Sequence, residues 1–414
     1  MQKKSVGYYC WAGPGTIRMI HTKFFSPKIN EQSLLESYDY DYIARTQDIL
    51  GVTDYWVTYS WGFHPNIEKE DYSFILSRLK NFHKLGIKVH AYIQGPNVVR
   101  EGFEDKKWYA KDHNNRNVSY YRNRDVVCVN SQEYRDFTAQ KILSLKDSGF
   151  SGIFIDNIQM GQLGMPLYYN NKPFVFAGCA CEICSQKFKQ SSGHEIPRDF
   201  EKDPHITAEY LKFRTNSTTG FVSELQGVAK SINMQFGVNT FDPKKENEYI
   251  YGSSLGQLAP HLDYILIENH SFPNTTGKQG NRYVQKLAMN LNTPIYVLPY
   301  KIGIGYDSEF SYNDFVMQLS EAEHFNVNPM IKGSEYTSRG IWHNLNISRL
   351  KPLRYAKKFK FSTIHHIKKK SMAMLHIPGI RYAIKNHYNT AYRMFMENRL
   401  VRDLFAWAYP LAVA

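Results

Sequence analysis

The sequence predicts an α/β protein: a (β/α)8 TIM barrel over residues 1–350, followed by a basic helical extension. Short β-branched or aromatic runs alternate with polar loops and helical periods between residues 5 and 335, which indicates parallel strands joined by helical crossovers. About 250–350 residues is also the size expected of such a barrel with insertions. A doubly wound open sheet is the alternative. It is disfavoured because the loop 12–15, Ala-Gly-Pro-Gly, contains a proline and lacks the third glycine of a phosphate-binding turn.

The first four strand–helix units each combine an apolar run with a later amphipathic stretch. We predict their strands at residues 5–11, 54–61, 87–94 and 152–156. We predict the matching helices at residues 39–50, 69–85, 132–147 and 208–232. Gly86 closes the second helix, since glycine is favoured just past a helix end.

The last four units repeat the pattern with weaker helical periods. We predict their strands at residues 235–240, 262–268, 294–300 and 330–335. Helical stretches are predicted at residues 253–258, 278–291 and 312–323. The alternation of strands and helices is a stronger signal than the exact number of eight strand–helix units.

The positive charge of the chain lies almost entirely in its last 64 residues. Residues 351–414 carry thirteen Lys or Arg against two acids, a net +11 out of the chain's +13. The remainder is nearly neutral, so we expect no nucleic-acid partner. Basic and apolar residues interleave over 351–402, which fits an anionic membrane surface or an acidic polymer. A helical cap on the bottom of the barrel, with a solvated basic face, is the alternative.

The N-terminal residues contain no apolar stretch typical of a signal peptide, and no run of about 18 apolar residues is present. We therefore expect a cytoplasmic protein, with a peripheral position at the inner membrane surface if the basic extension binds lipid.

Polar and aromatic residues follow the predicted strands at their C-terminal ends, where (β/α)8 barrels carry their chemistry. Acids and amides hold sugar hydroxyls and rings stack on sugar faces, so this set predicts a carbohydrate site. No helix start here is both Gly-rich and preceded by basic residues, so phosphate is disfavoured. The predicted sugar-contacting residues are Trp61, His64, Tyr92, Gln94, Asn157, Asn239, His270 and Tyr300.

Two carboxylates at the ends of apolar strands are the groups that glycoside hydrolysis requires. We predict Asp156 as the nucleophile, because Asn157 and a polar loop favour its ionised form. We predict Glu268 as the general acid/base, because it follows the apolar run Tyr-Ile-Leu-Ile at 264–267. Glu335 is the reserve candidate. The structural alternatives are a turn-capping Asp156 and a Glu268 that pairs with Lys301 or a neighbouring histidine.

Three of the five cysteines form a C-x-C-x2-C run, Cys179, Cys181 and Cys184, in the loop after the fourth strand. Closely spaced thiolates suit tetrahedral zinc, which would need a fourth ligand from elsewhere. Disulfides are disfavoured in a chain without a secretion signal. An iron–sulfur cluster and three unliganded thiols are the alternatives.

The segment 179–188 resembles the C-x-C-x2-C-x3-F element of family 42 β-galactosidases, TIM-barrel enzymes with a structural zinc. That family's remaining zinc cysteine lies in a Cys-Pro-Asn-Ser segment, and residues 128–131, Cys-Val-Asn-Ser, are similar. The resemblance therefore implies a zinc site made by Cys128 together with Cys179, Cys181 and Cys184.

The resemblance breaks at the fourth strand, where the family's Ile-Asp-Asn-Glu corresponds to Ile155-Asp156-Asn157-Ile158. The missing glutamate is the family's acid/base. Either the chain is a glycan-binding barrel without activity, or its chemistry uses Asp156. The second option is similar to retaining glycosidases of the α-galactosidase type, with an Asp after strand four and an acid after strand six. A metal-dependent enzyme with a three-cysteine zinc site is a third hypothesis.

Overall fold

A closed barrel of eight parallel strands forms the centre of the protein, and each strand pairs with its neighbours in chain order. The computed structural model describes residues 5–10, 13–15, 17–18, 35–121, 123–160, 168–169, 172–173, 178–198, 202–240, 251–269, 291–299, 322 and 326–332. The barrel strands are β1 (Gly7–Cys10), β2 (Asp54–Ser60), β3 (Lys88–Gln94), β4 (Gly152–Asp156), β5 (Gln235–Thr240), β6 (Tyr264–Asn269), β7 (Ile295–Pro299) and β8 (Asn328–Lys332). The predicted (β/α)8 barrel is confirmed, and β8 closes it by pairing with β1.

Helices lie between the strands and cover the barrel from outside. They are α1 (Tyr40–Leu50), α2 (Pro65–His83), α3 (Gln132–Leu143), α4 (Glu182–Ser192), α5 (Pro204–Ser231) and the short α6 (Leu255–Leu258). Helix α4, which begins inside the cysteine run, was not predicted. The helices predicted at 278–291 and 312–323 and the extension 351–414 lie outside the described residues, apart from Leu291 and Ala322.

Helix α2 begins four residues earlier than its apolar period predicts. Pro65 occupies its first position, where a missing N–H costs nothing, and His64 Nδ1 accepts a hydrogen bond from Asn66 N at 3.3 Å. Local capping, rather than hydrophobic periodicity, therefore sets the start of this helix.

The long segment between β3 and α3 forms a three-stranded antiparallel sheet instead of an irregular loop. Its strands are Asn97–Val99, Ser119–Tyr121 and Arg124–Val126, with the last one in the middle. Because the segment leaves the C-terminal end of β3, this accessory sheet lies next to the mouth of the barrel.

Large side chains fill the barrel interior, as is usual for this fold. The rings of Tyr9 and Phe154 meet edge to face at 6.0 Å between centroids, and those of Trp61 and Tyr92 lie 4.5 Å apart. The buried inner cluster contains Tyr9, Trp56, Trp61, Phe63, Tyr92, Val99, Phe154, Tyr264, Leu266, Tyr296, Leu298 and Met330. The barrel interior below the C-terminal ends of the strands is therefore filled by packed side chains.

One titratable pair is buried in the barrel wall. His90 Nε2 lies 3.1 Å from Asp54 Oδ1, and the imidazole stacks on Trp56 with the ring centroids 4.5 Å apart. Burial lowers the pKa of His90 below its ordinary value of 6.5, against the opposing effect of Asp54.

The lowered pKa of His90 predicts an acid-sensitive fold. The unfolded chain takes up the His90 proton near pH 6.5, whereas the folded chain resists it, so stability falls as the pH drops from 6.5 toward the folded pKa. The slope contributed by this one group is at most about 1.4 kcal/mol per pH unit. Urea unfolding between about pH 7.5 and about pH 5.5 should show a smaller slope in His90→Gln than in the wild type. Equal slopes would contradict this assignment.

Of the helices within the described ranges, none has the length and apolarity needed to cross a lipid bilayer. The predicted membrane contact of residues 351–402 lies outside those ranges and stays a prediction.

Candidate functional site

The C-terminal ends of β3, β4 and β5 bring three of the predicted site residues together. On one side of Asp156, Gln94 of β3 pairs with it in register. On the other side, Val238 of β5 pairs with Ile155, so the next residue, Asn239, lies beside Asp156. Gly95 permits the close approach of β3 to β4: a Cβ at position 95 would lie 1.9 Å from the Asp156 carbonyl oxygen. Only glycine fits there without moving the backbone.

The Asp156 carboxylate accepts hydrogen bonds from four donors in the described part of the chain. Asn157 N donates to Oδ1 at 2.8 Å, and the Asn239 side-chain amide donates to the same oxygen. Tyr92 Oη donates to Oδ2 at 2.5 Å, and Asn157 Nδ2 donates to it at 2.6 Å. Only an ionised carboxylate accepts at every lone pair, so this arrangement favours the charged form.

Tyr92 connects Asp156 to Gln94. Burial first, and then the charge of Asp156, raises the pKa of Tyr92 well above its ordinary value, so the phenol keeps its proton. A hydroxyl has one hydrogen, and the short contact assigns it to Asp156. At 3.0 Å the same hydroxyl also lies within hydrogen-bond distance of Gln94 Oε1.

Asn157 is the least buried of the residues that donate to Asp156. Its backbone has φ of +55°, a conformation that costs energy for a residue other than glycine, and its side chain is half-buried. Tyr120 Oη donates to Asn157 Oδ1 at 3.0 Å, which ties the accessory sheet to the Asp156 network. Asp156 itself is 2% exposed, so any reactant must first displace one of its hydrogen-bond partners.

Two further predicted residues lie near this network with other contacts. Trp61 is buried, and its ring supports the ring of Tyr92. His64 caps α2 and packs on Phe103, with ring centroids 5.3 Å apart, so its contacts lie outside the hydrogen bonds of Asp156.

Glu68, which the sequence analysis did not single out, holds the end of β2 in place. Its buried carboxylate accepts from Trp61 N at 2.6 Å and Phe63 N at 3.1 Å, and it pairs with Lys141 Nζ at 3.0 Å. Ser60 and Tyr72 hydroxyls complete the set of donors, each at 2.8 Å. This acid therefore positions the loop that carries Trp61.

Replacing Glu68 should destabilise the protein strongly. Glu68→Ala leaves the Lys141 ammonium and four other donors without their acceptor, and breaking a buried pair of this kind costs about 3–5 kcal/mol. Glu133→Ala is the matched control, because it removes an exposed pair with Lys106 that is worth about 1 kcal/mol or less. Urea unfolding measures both variants. Similar losses in the two would show that Glu68 has no special role.

The second predicted carboxylate is placed only by its backbone. Glu268 lies at the C-terminal end of β6 and pairs in register with Leu298 of β7, while its side chain lies outside the described residues. His270, Tyr300 and the reserve candidate Glu335 also lie outside them. Ile158, which replaces the family 42 glutamate, is buried in the hydrophobic core outside the Asp156 network.

The four predicted metal ligands come together in one cluster. Cys128 precedes α3, Cys179 and Cys181 lie in the loop before α4, and Cys184 is in the first turn of α4; their sulfur atoms all lie within 4.8 Å of one another. Cys128 Sγ is 3.4 Å from Cys184 Sγ and 3.6 Å from Cys181 Sγ. These separations exclude a disulfide and approach the value of about 3.8 Å that tetrahedral Zn–S bonds of about 2.3 Å impose.

The surroundings of the cluster also suit a metal. Asn130 Nδ2 donates to Cys184 Sγ at 3.4 Å, an outer hydrogen bond typical of metal-bound thiolates. The hydrogen bond with Cys128, together with those of the other neighbouring thiols, lowers the pKa of Cys181. The hydrogen bond with Cys179 raises the pKa of Cys128. Four thiols this close repel one another as thiolates unless a cation lies between them, so the donor set fits zinc.

Besides Glu68, three residues near the site were missed by the sequence analysis: Asn97, Tyr120 and Arg124, all in the accessory sheet. A usable signal was present, because a long segment directly after a barrel strand often carries function.

Comparisons with known proteins support the fold. No protein-family model and no curated protein matches the chain. Among solved structures, the glycoside hydrolase domain of PgaB (BpsB) from Bordetella bronchiseptica is similar, with a TM-score of 0.56 and 10% identity over 80% of this chain and 94% of that one. A β-galactosidase from the Antarctic haloarchaeon Halorubrum lacusprofundi has a TM-score of 0.52 and 12% identity, over 82% of this chain and 54% of that one.

The catalytic domain of β-amylase from Paenibacillus polymyxa is also similar, with a TM-score of 0.50 and 11% identity over 84% of this chain and 99% of that one. At such identities the likeness shows a shared barrel fold alone. The structural neighbours include glycoside hydrolase barrels and β-galactosidases, but the resemblance to family 42 in particular is not confirmed.

Proposed function

We propose that the protein is a glycoside hydrolase acting on an oligo- or polysaccharide, with Asp156 as its nucleophile. The observation that carries the proposal is the position of this carboxylate. It lies at the C-terminal end of a barrel strand, and hydrogen bonds from Tyr92, Asn157 and Asn239 favour its ionised form. The barrel likeness to glycoside hydrolase domains supports the hydrolase class of this proposal.

Glu268 is the proposed partner. It lies one position before the end of β6, after four residues that are all buried, and a carboxyl group that follows such an apolar run suits the role of the acid. Position 268 lies two residues after Leu266, which belongs to the inner cluster. The acid would protonate the leaving oxygen while Asp156 forms a bond to the anomeric carbon. Glu268 would then deprotonate the water that releases the sugar from Asp156.

The hydrogen bonds of Asp156 define what must change before this attack. All four lone-pair positions of the carboxylate are engaged, so one donor has to leave. Asn157 Nδ2 is the group we propose, because Asn157 is half-buried whereas Tyr92 and Asn239 are fully buried. A sugar hydroxyl could take its place on Oδ2. Gln94, Asn157 and Asn239 would contact the sugar, while Trp61 supports Tyr92 from behind.

We also propose a structural zinc held by Cys128, Cys179, Cys181 and Cys184. A zinc ion with four protein ligands has no open position for water, so it would do no chemistry. Its role would be to join the segment before α3 to the start of α4.

A glycan-binding barrel without activity is the second candidate. It is favoured by the same saturation of Asp156, which is 2% exposed and fully hydrogen bonded. The hydrolase should cleave glycosides, whereas the glycan-binding barrel should bind them without cleavage. A screen of aryl glycosides and reducing-end release from polysaccharides should detect hydrolysis by the wild type, with loss in Asp156→Asn. Sugar binding without turnover in both proteins would select the second candidate.

A further inference from the structure

Arg124 of the accessory sheet is a buried cation that no carboxylate of the described residues contacts directly. The residue is 2% exposed, and its pKa is lowered by burial. Its Nε and Nη2 donate to Asn97 Oδ1 at 3.0 and 2.9 Å, and Nη2 donates to the Trp61 carbonyl oxygen at 2.6 Å. All of these acceptors are neutral. The charge of Glu68 acts on Arg124 electrostatically, but the Glu68 carboxylate accepts its hydrogen bond from Lys141 and not from Arg124.

Two buried donor groups in this cluster have no acceptor within the described ranges. They are Arg124 Nη1 and Asn97 Nδ2. The orientation of Asn97 is settled by the two hydrogen bonds that its Oδ1 accepts from the guanidinium, so the orphaned atom is the amide nitrogen. An isolated buried charge is costly, and native proteins normally satisfy such donors. The cluster therefore lacks one acceptor, and a negatively charged one fits best.

The cluster lies next to the candidate nucleophile. A Cβ on Gly62 would lie 2.8 Å from Asn97 O, 3.0 Å from Arg124 Nη2 and 3.2 Å from Gln94 Cγ, so these three residues surround one point. Gln94, in turn, contacts Tyr92, whose hydroxyl donates to Asp156. A single side chain, Tyr92, thus separates the Gln94 amide from the Asp156 carboxylate. The donor cluster is therefore linked to the Asp156 carboxylate through two side chains, Gln94 and Tyr92.

We propose that Arg124 and Asn97 form a binding site for a carboxylate of the glycan, so that the substrate is an acidic saccharide with a uronic acid unit beside the bond that is cut. A carboxylate is planar and acceptor-only, and it matches a guanidinium and an amide that offer donors only. The inference rests on the proposed function, because the bound glycan is a substrate only if the protein hydrolyses it. Binding of a carboxylate by Arg124 and Asn97 does not require hydrolysis.

The test is calorimetric titration with matched sugars, D-glucuronate against D-glucose and D-galacturonate against D-galactose. The wild type should bind one uronate at least about tenfold more tightly than its neutral counterpart, since hydrogen bonds to charged groups exceed neutral ones. Arg124→Met should abolish the difference. Arg116→Met, an exposed arginine of the same segment that pairs with Asp112, is the matched control and should leave the difference intact.

Asn97→Asp provides a second variant if Arg124→Met does not fold. The new carboxylate has the shape of the asparagine side chain, so the protein should fold. It would pair with the Arg124 guanidinium, so the preference for uronates should be lost. Equal affinity for the paired sugars, including no measurable binding of either, overturns the proposal, as does a preference that survives in Asn97→Asp. In that outcome a trapped water satisfies Arg124.

The two proposals fail in different ways. Hydrolysis of neutral glycosides without any uronate preference would leave the proposed function standing and remove the carboxylate site. A uronate preference that persists in Asp156→Asn, with no hydrolysis by the wild type, would leave the carboxylate site and remove the hydrolase.

Discussion

Asp156→Asn should lower glycoside hydrolysis by at least about a thousandfold, a loss of about 4 kcal/mol of transition-state stabilisation. An amide has no negative charge with which to form the bond to the anomeric carbon. The variant should also be less stable, because an amide has one oxygen to offer to the four donors from Tyr92, Asn157 and Asn239. A buried donor left without an acceptor costs about 1–3 kcal/mol. We expect a folded protein with a lower melting temperature.

The activity assay needs two controls. Circular dichroism and urea unfolding show whether Asp156→Asn is folded under the assay conditions. Asp136→Asn is the matched substitution, because Asp136 lies on the exposed face of α3, where it accepts from Gln132 Nε2. It should keep full activity. Undiminished turnover in folded Asp156→Asn would remove this residue from the mechanism.

Cys184→Ser should release the metal and destabilise the protein by more than about 4 kcal/mol, since loss of a metal site is one of the few single changes with so large an effect. A hydroxyl is a poor zinc ligand, and three thiolates would remain packed around an incomplete coordination sphere. Atomic emission should find one zinc per wild-type chain and none in the variant. A chelator should lower the melting temperature of the wild type and leave that of Cys184→Ser unchanged.

Cys10→Ser is the matched control for the metal site. Cys10 is also buried and carries no disulfide, but it lies in β1 and contacts Ser37 Oγ at 3.3 Å. Its variant should therefore keep the zinc. Zinc content that is unaffected by Cys184→Ser, or absent from the wild type, would contradict the structural zinc.

The barrel could be predicted because its signal is local. Each strand is a short apolar run, and β4 and β5 have the predicted bounds, Gly152–Asp156 and Gln235–Thr240. The parallel order then follows from the alternation with helices. Helix starts were less accurate where capping decides them, as at Pro65 and at Pro204, whose helix is capped by Asp203.

The accessory sheet could not be predicted in the same way, since its strands have three residues each and are stabilised by contacts distant in sequence. Arg124, for example, reaches Trp61, 63 positions away. A three-residue strand has no periodicity to detect, so the length of the segment points to a function but does not single out Tyr120 or Arg124. The cysteine cluster is an intermediate case. The C-x-C-x2-C spacing indicates three ligands, but Cys128 lies more than 50 residues away and was identified only through a family resemblance.

The predicted site residues stay predictions in their roles. Strand-end reasoning selected Gln94, Asp156 and Asn239, and the strand register makes these three residues neighbours. The same logic included His64, which instead caps α2 and packs on Phe103. A residue after a strand end also serves the next helix, and sequence alone does not separate the two roles.

The central claim is that the Asp156 carboxylate forms a bond to the anomeric carbon. Its most direct test is covalent trapping with a 2-deoxy-2-fluoroglycosyl fluoride of the sugar that the activity screen identifies. Fluoride leaves as the ester forms, while the fluorine at C2 slows the hydrolysis of that ester. Peptide mass spectrometry should find the fluorosugar on Asp156 in the wild type and nowhere in Asp156→Asn. A label on another carboxylate, or active enzyme that takes up no label at all, would contradict the claim.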